Sequence, residues 1–300
     1  MESQTKGPLL VLLAAIGFGF NPLFVQILFA QGMTPEVVTL YRFVLPCILL
    51  LFFLPTPVTL WREVSRMLMI GLANGLAMLA YFYALQTLPS ATAILIYYTY
   101  PFFSLLIGVL IFKRAVSINA LLSAALVLIA ASLVIEPSQL SMESKWLVMG
   151  CFLAPMIFAF QIQYLAKPKQ NLSTLGRMAW STIGHLIVLI PLAIYSFPVM
   201  LFPDGLNGWW ALLGLAFLAA ALPQYLFVIG AIKTKPEVIA ILGAAELVVA
   251  MLSCSWLLDT ALTRLDITAM LLVIVALCIR HPKSIAQPKS MLLVVETDLK

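Results

Sequence analysis

The chain has 300 residues, 63% of them hydrophobic and only 10% charged, with a mean hydropathy of +1.08. Soluble domains carry about 25% charged residues, so this composition excludes a chain folded in water and implies one immersed in lipid. The net charge of +5 could suit a nucleic-acid binder, but the bases sit at the ends of apolar runs instead of forming one patch, and nucleic acid is not an expected partner.

A helix needs about 20 apolar residues to cross the hydrocarbon core. Cutting the chain at polar, Pro and Gly punctuation gives ten spans, at 8–30, 35–54, 66–86, 90–112, 118–135, 145–166, 174–197, 208–230, 236–258 and 264–281. The first run is longer than the ~7–15 residues of a signal-peptide core and is read as a retained span. Connections are short and leave no room for a soluble domain. Residues 282–300 read as a flexible cytoplasmic tail, because the apolar run 291–295 is too short to span. The expected fold is an all-α membrane protein.

Lys and Arg set the orientation. With the N-terminus in the cytoplasm, Lys6, Arg62, Arg66, Lys113, Arg114, Lys167, Lys169, Arg177, Lys233, Lys235, Arg280, Lys283, Lys289 and Lys300 fall inside. Only Lys145 and Arg264 fall outside, and Arg42 lies within a span. Both termini are therefore expected in the cytoplasm, and the membrane is expected to be the cytoplasmic (inner) one.

Ten spans divide into five and five, and an odd unit emerges on the opposite side, so a second copy would be inverted. The sequence carries traces of such a copy. Phe18-Gly19-Phe20-Asn21 matches Phe158-Ala159-Phe160-Gln161 at an offset of 140 residues. Gly71-Leu72-Ala73 matches Gly214-Leu215-Ala216, and Ala84, Thr87, Pro89, Ala93 and Ile94 match Ala231, Thr234, Pro236, Ala240 and Ile241. The repeats read as 1–137 and 138–281. Inverted repeats place a binding site near the midplane where the copies meet.

Charges near mid-membrane cost at least ~2.5–3.5 kcal/mol each, even on insertion scales. Glu246 in span 9 and Arg42 in span 2 are the two that qualify. Glu246 suits a cationic solute group or a coupling proton; Arg42 suits a structural or gating charge. Asn21, Asn74, Gln161, His185 and Gln224 lie at similar depth, where amides either bind neighbouring helices or line a cavity. Tyr97, Tyr100 and Ser104 share one helical face, as do Asn74, Met78 and Tyr81. Pro22, Pro46, Pro101, Pro155, Pro191 and Pro223 interrupt spans and permit bends. Cys47, Cys151, Cys254 and Cys278 are scattered singly, without metal or redox spacing, and His185 and His281 are far apart. No Walker, His-Glu-x-x-His or Gly-x-Ser-x-Gly motif is present. Neither enzyme activity, nor a metal, nor a cofactor is expected.

These residues resemble the drug/metabolite transporter superfamily, in its EamA-type ten-helix branch. Phe18-Gly19-Phe20-Asn21 is similar to the family's turn in span 1, and Pro35 with Tyr41-Arg42-Phe43 to its opening of span 2. Ala84-Leu85, Pro89-Ser90-Ala91 and Tyr100-Pro101 resemble the span 3–4 signature, and Ala245-Glu246 resembles the Glu-Pro of span 9. Lys113-Arg114 and Asp259-Thr260 depart from the Gly-Glu pairs that often close spans 4 and 9, and Leu247 replaces the proline after Glu246. The resemblance implies export of small metabolites through a central cavity lined by spans 1, 3, 4, 6, 8 and 9.

The expectation is a secondary transporter of an amino-acid-like or related amphipathic solute, working by alternating access. The expected cavity residues are Asn21, Asn74, Tyr97, Tyr100, Gln161, Gln224 and Glu246. Expected partners are the solute, membrane lipid and a coupling proton, and a homodimer is compatible. A membrane sensor or interaction partner without transport is the competing reading.

Overall fold

Backbone polar groups in lipid must be satisfied within the chain, and helices do this here. A computed structural model describes residues 2–54, 58–88, 90–113, 117–134, 142–165, 171–196, 201–234, 236–257 and 262–279, among which there is no strand. Ten helical rods follow in order. α1 is Glu2–Gly19 continued as Asn21–Ala30, and α2 is Pro35–Leu50 with a 3₁₀ turn at Leu51–Phe53. α3 is Trp61–Thr87, α4 is Ser90–Tyr97 with Tyr100–Leu110, and α5 is Ile118–Val134. α6 is Met142–Cys151 with Leu153–Leu165, and α7 is Thr174–Tyr195. α8 runs Gly205–Leu213, then a π-helical stretch Gly214–Ala221, then Leu222–Ala231. α9 is Pro236–Gly243 with Ala245–Leu257, and α10 is Arg264–Cys278. The expected tail at 282–300, the junction at 137–138 and His281 lie outside the described residues.

Among the described residues, six helical segments are long and apolar enough to cross a membrane, and those at Ile118–Ala130, Lys145–Gln161 and Ile241–Leu257 are apolar but shorter. The outer surface confirms the solvent. Phe52, Tyr195, Leu206 and Trp256 are each more than 80% exposed, whereas Thr39, Ser104, Thr182 and His185 are wholly buried. That is the reverse of a water-soluble fold. Trp61, Trp146, Trp209, Trp210 and Trp256 are exposed near rod ends, where indole rings anchor at the lipid–water boundary. The chain is an all-α, multi-pass membrane protein.

The rods extend past some expected limits. α3 begins at Trp61, five residues before its expected start at 66, and carries Arg62, Glu63 and Arg66 in its first turns. Charges mark where hydrocarbon ends, not where the helix ends. The interruptions are equally physical. Phe20, the Tyr98-Thr99 pair, Phe152 and Ala244 separate the halves of α1, α4, α6 and α9. Pro22 and Pro101 stand at the start of the second halves of α1 and α4, where a missing N–H costs nothing, and Pro223 follows directly on the π-helical stretch of α8. Pro46 and Pro191 lie inside α2 and α7.

Rod neighbours form matched sets. α3 packs on α7 as α8 packs on α2; α1 packs on α8 as α6 packs on α3; α4 packs on α6 as α9 packs on α1. Moving five helices along the chain converts one member of each set into the other. α4 packs on α5 as α9 packs on α10, and the pairs α2 with α7, α4 with α9 and α5 with α10 convert into themselves.

α4 ends on an unusual residue. Lys113 has φ of 50°, the left-handed region in which a Cβ is crowded by the following carbonyl. It occupies the place where the resembled family often has glycine. Lys113→Gly is expected to raise stability by about 1 kcal/mol, seen as a higher midpoint in a thermal melt of the detergent-solubilised protein.

Candidate solute cavity

Two linked hollows lie between the rods. The first is walled by Phe18, Arg42, Phe43, Asn74, Met78, Tyr97, Phe158, Gln161, Gln224, Phe227 and Val228. The second is walled by Met67, Ile70, Gln161, Tyr164, Arg177, Met178, Ser181, Gln224 and Val228. Gln161, Gln224 and Val228 are common to both, so the hollows adjoin. The first is narrow, with a free volume of only ≈ 40 Å³. At roughly 10–15 Å³ per water, that is space for about three waters.

A hydrogen-bonded chain fixes one wall. His185 is wholly buried in α7, with Nδ1 2.6 Å from the carbonyl oxygen of Ser181. A carbonyl only accepts, so Nδ1 carries the proton and Nε2 is left as an acceptor. Asn74 Nδ2 lies 3.0 Å from that Nε2 and donates to it, and is 3.4 Å from Gln161 Oε1. Both donor contacts use the amide nitrogen, and Asn74 Oδ1 is buried without a partner. The His185 ring also stacks on Phe43, with centroids 3.9 Å apart. Residues of α2, α3, α6 and α7 thus meet at one point.

Arg42 forms the second polar feature. It is buried, with 6% of its surface exposed. One guanidinium nitrogen donates a short hydrogen bond to Asn21 Oδ1. The rings of Phe18 and Phe43 lie about 6 Å from the guanidinium carbon. Nε has no partner.

Rings make up the rest of the wall. Tyr97 packs against Tyr81 with centroids 4.9 Å apart and against Phe158 at 6.0 Å. Phe158 also meets Phe227 at 5.7 Å, and Phe227 meets Phe18 at 6.3 Å.

Of the residues expected from sequence, Asn74, Tyr97, Gln161 and Gln224 line the first hollow, together with Arg42. Asn21, Tyr100 and Glu246 are buried but do not line either hollow. Asn21 stands behind Arg42. Tyr100 turns its hydroxyl to Gly243, where a Cβ would come within 1.7 Å of it. Glu246 opens the second half of α9, within hydrogen-bonding reach of Tyr98 and within the field of Arg42.

The face expected for Tyr97, Tyr100 and Ser104 is not continuous, because α4 breaks at Tyr98-Thr99. Ser104 instead accepts from Gln163 of α6 through both its carbonyl and its hydroxyl. On unbroken α3 the expected face holds: Asn74 and Met78 reach the hollow and Tyr81 packs on Tyr97. Asn21 follows the break in α1, whereas Gln161 lies nine residues beyond the break in α6. Arg177, read from sequence as a cytoplasmic end charge, is only 4% exposed and lines the second hollow. Its position one turn into α7 gave no sign of this. Phe18, Phe43, Phe158 and Phe227 were not expected on the wall, since an apolar residue in an apolar span carries no distinguishing signal.

The opposite end of the bundle is fastened. Tyr83 of α3 donates a short hydrogen bond to Glu36 of α2. Gln26 of α1 donates to the Leu85 carbonyl at 3.1 Å, and Asp204 N donates to Gln31 Oε1 at 3.2 Å.

Three comparisons bear on this arrangement. An uncharacterized transporter from Helicobacter pylori (strain J99 / ATCC 700824) is 30% identical over 152 residues. The match covers 48% of this chain and about half, 50%, of the length of that curated relative. A crystal structure of a protein is similar in fold over 98% of this chain and 99% of its own, with a TM-score of 0.71 and 15% sequence identity. At that identity the likeness concerns fold alone, and it extends through both halves. The EamA-like transporter family matches residues 5–136, which hold α1 to α5.

Proposed function

We propose that the protein is a secondary transporter that moves a small amphipathic, amino-acid-like solute across the inner membrane, in the direction of export. Repeats 1–137 and 138–281 would rock against each other about the hollow, alternately opening it to the two sides. The observation that carries this reading is the composition of the wall. Phe18, Arg42, Asn74 and Tyr97 come from the first repeat, and Phe158, Gln161, Gln224 and Phe227 from the second. A hollow shared in this way changes shape whenever the repeats move. The matched packing of rods five apart supports the same division. With both termini in the cytoplasm, the Glu36–Tyr83, Gln26–Leu85 and Gln31–Asp204 contacts fall on the outer side, and the hollow near Arg177 falls on the cytoplasmic side.

The test is flux from preloaded proteoliposomes into buffer, with metabolite pools as cargo. Gln161→Ala removes an amide shared by both hollows and is expected to lower flux at least about tenfold, roughly 1.4 kcal/mol in transport free energy. Its folded yield is expected to match wild type. Solute binding without flux would favour a sensor over a transporter.

A further inference from the structure

Arg42 is more than nine-tenths buried and lines the first hollow, yet among the described residues it meets no carboxylate. Its hydrogen bond is to the neutral amide of Asn21, its flanks are phenyl rings, and its Nε has no partner. The rest of that wall holds amides, a tyrosine, rings and aliphatic groups, without an acid. His185, behind Asn74, donates from Nδ1 to the Ser181 carbonyl and offers Nε2 as acceptor to Asn74 Nδ2. Glu246 interacts with Arg42 through space but stands outside both hollows and is not in ion-pair contact with it. An isolated buried charge is costly, and a guanidinium binds a planar carboxylate through two parallel hydrogen bonds.

The same wall offers Asn74 Oδ1, an acceptor without a donor. Its direction is fixed by the His185 tautomer, because Asn74 Nδ2 is held by His185 and Gln161. Phe18, Phe158, Phe227 and Tyr97 supply an apolar surface beside these groups.

We infer that Arg42 is the anion-binding group of the solute site, and that the cargo is an organic carboxylate with a hydrogen-bond donor for Asn74 and an apolar body. This rests on the reading of the hollow as a solute site. It assigns to Arg42 direct contact with cargo, beyond bracing α1 against α2.

The test uses the purified full chain in detergent and three probes that share a hydroxyl donor and a phenyl ring and differ only at one end: 2-hydroxy-3-phenylpropanoate, 2-hydroxy-3-phenylpropanamide and 1-amino-3-phenylpropan-2-ol. Binding is followed by calorimetry. Wild type is expected to bind the carboxylate at least about tenfold more tightly than the amide, and the amine more weakly still. Arg42→Gln is expected to bind carboxylate and amide alike. Arg42→Lys, which keeps the charge but not the fork, is expected to retain part of the preference, and serves where the glutamine variant does not fold. Equal binding of carboxylate and amide by wild type overturns the inference. So does an unchanged preference in folded Arg42→Gln, or absence of carboxylate binding up to about 10 mM. If proteoliposomes move a neutral or cationic solute, the transporter reading stands and this inference falls. If the carboxylate binds with the expected preference but never crosses, this inference stands and the transporter reading falls.

Discussion

Gly71→Ala is expected to destabilise the protein by about 3 kcal/mol and to reduce its folded yield in membranes. A Cβ at Gly71 would lie 1.9 Å from the backbone carbonyl oxygen of Ser181, and 2.7 Å from its carbon. The obstacle is α7 backbone, which cannot rotate away like a side chain. The contact is reciprocal, since a Cβ at Gly184 would lie 2.3 Å from the Leu68 carbonyl and 3.1 Å from the Gly71 Cα. Two glycines therefore let α3 and α7 cross with their backbones nearly touching, the usual device of close helix packing in lipid. One methyl on either side forces the rods apart. Once they are apart, a second methyl meets less, so Gly71→Ala combined with Gly184→Ala is expected to cost less than the sum of the two. Gly150→Ala is the control. A Cβ there meets nothing within 4 Å, and alanine in a helix is expected to be neutral or stabilising by up to about 1 kcal/mol. Chemical denaturation in a mild detergent, read by far-UV circular dichroism, measures all four.

The crossing matters to the site as well. Asn74 is one turn beyond Gly71, and His185 follows Gly184 directly. Their 3.0 Å contact exists because the two backbones are this close. Separating the rods breaks the chain from Ser181 to Gln161 and releases Asn74 Oδ1 from its fixed direction. The glycine pair thus sits at the base of the anion site without touching solute.

Sequence pattern made the architecture readable for a plain reason. Lipid demands long apolar helices, and their ends are marked by charge and proline, so ten spans could be counted and each falls on a rod. Asn74, Gln161 and Gln224 could be picked out because an amide in an oily helix is conspicuous. What stayed hidden depended on rotation and on breaks. Tyr97 and Tyr100 seemed to share a face under unbroken helical spacing, but the break at Tyr98-Thr99 turns Tyr100 towards Gly243. The phenyl rings of the wall were invisible among the other phenylalanines. Arg177 was assigned to an interface by its distance from the helix end, although a side chain one turn in can equally point into the bundle.

Glu246→Gln is expected to leave the fold intact and remove any dependence of uphill transport on a proton gradient, with accumulation falling at least about tenfold. Three acids are buried among the described residues outside any interface: Glu36, Asp266 and Glu246. Glu36 accepts from Tyr83 at the end of the bundle away from Arg177. Asp266 accepts from the backbone and hydroxyl of Thr263 in the capping box that starts α10. Both are occupied structurally. Glu246 differs in position, lying in the first turn after the break in α9, near Tyr98, which begins the break in α4. α4 and α9 pack against each other and exchange under the five-helix shift, so Glu246 lies where the repeats must slide if they rock. A carboxylate there balances Arg42 at a distance, and a protonated carboxyl leaves Arg42 to the cargo. Arrival of an anionic solute at Arg42 and of a proton at Glu246 would then favour each other. Glutamine mimics the protonated form permanently, with the same shape and one fewer charge. Counterflow exchange at equal pH is therefore expected to persist in Glu246→Gln while gradient-driven accumulation is lost. Both are read in proteoliposomes by tracer uptake with and without an imposed pH difference, and equal gradient-driven accumulation in the variant and the wild type would remove Glu246 from the coupling step.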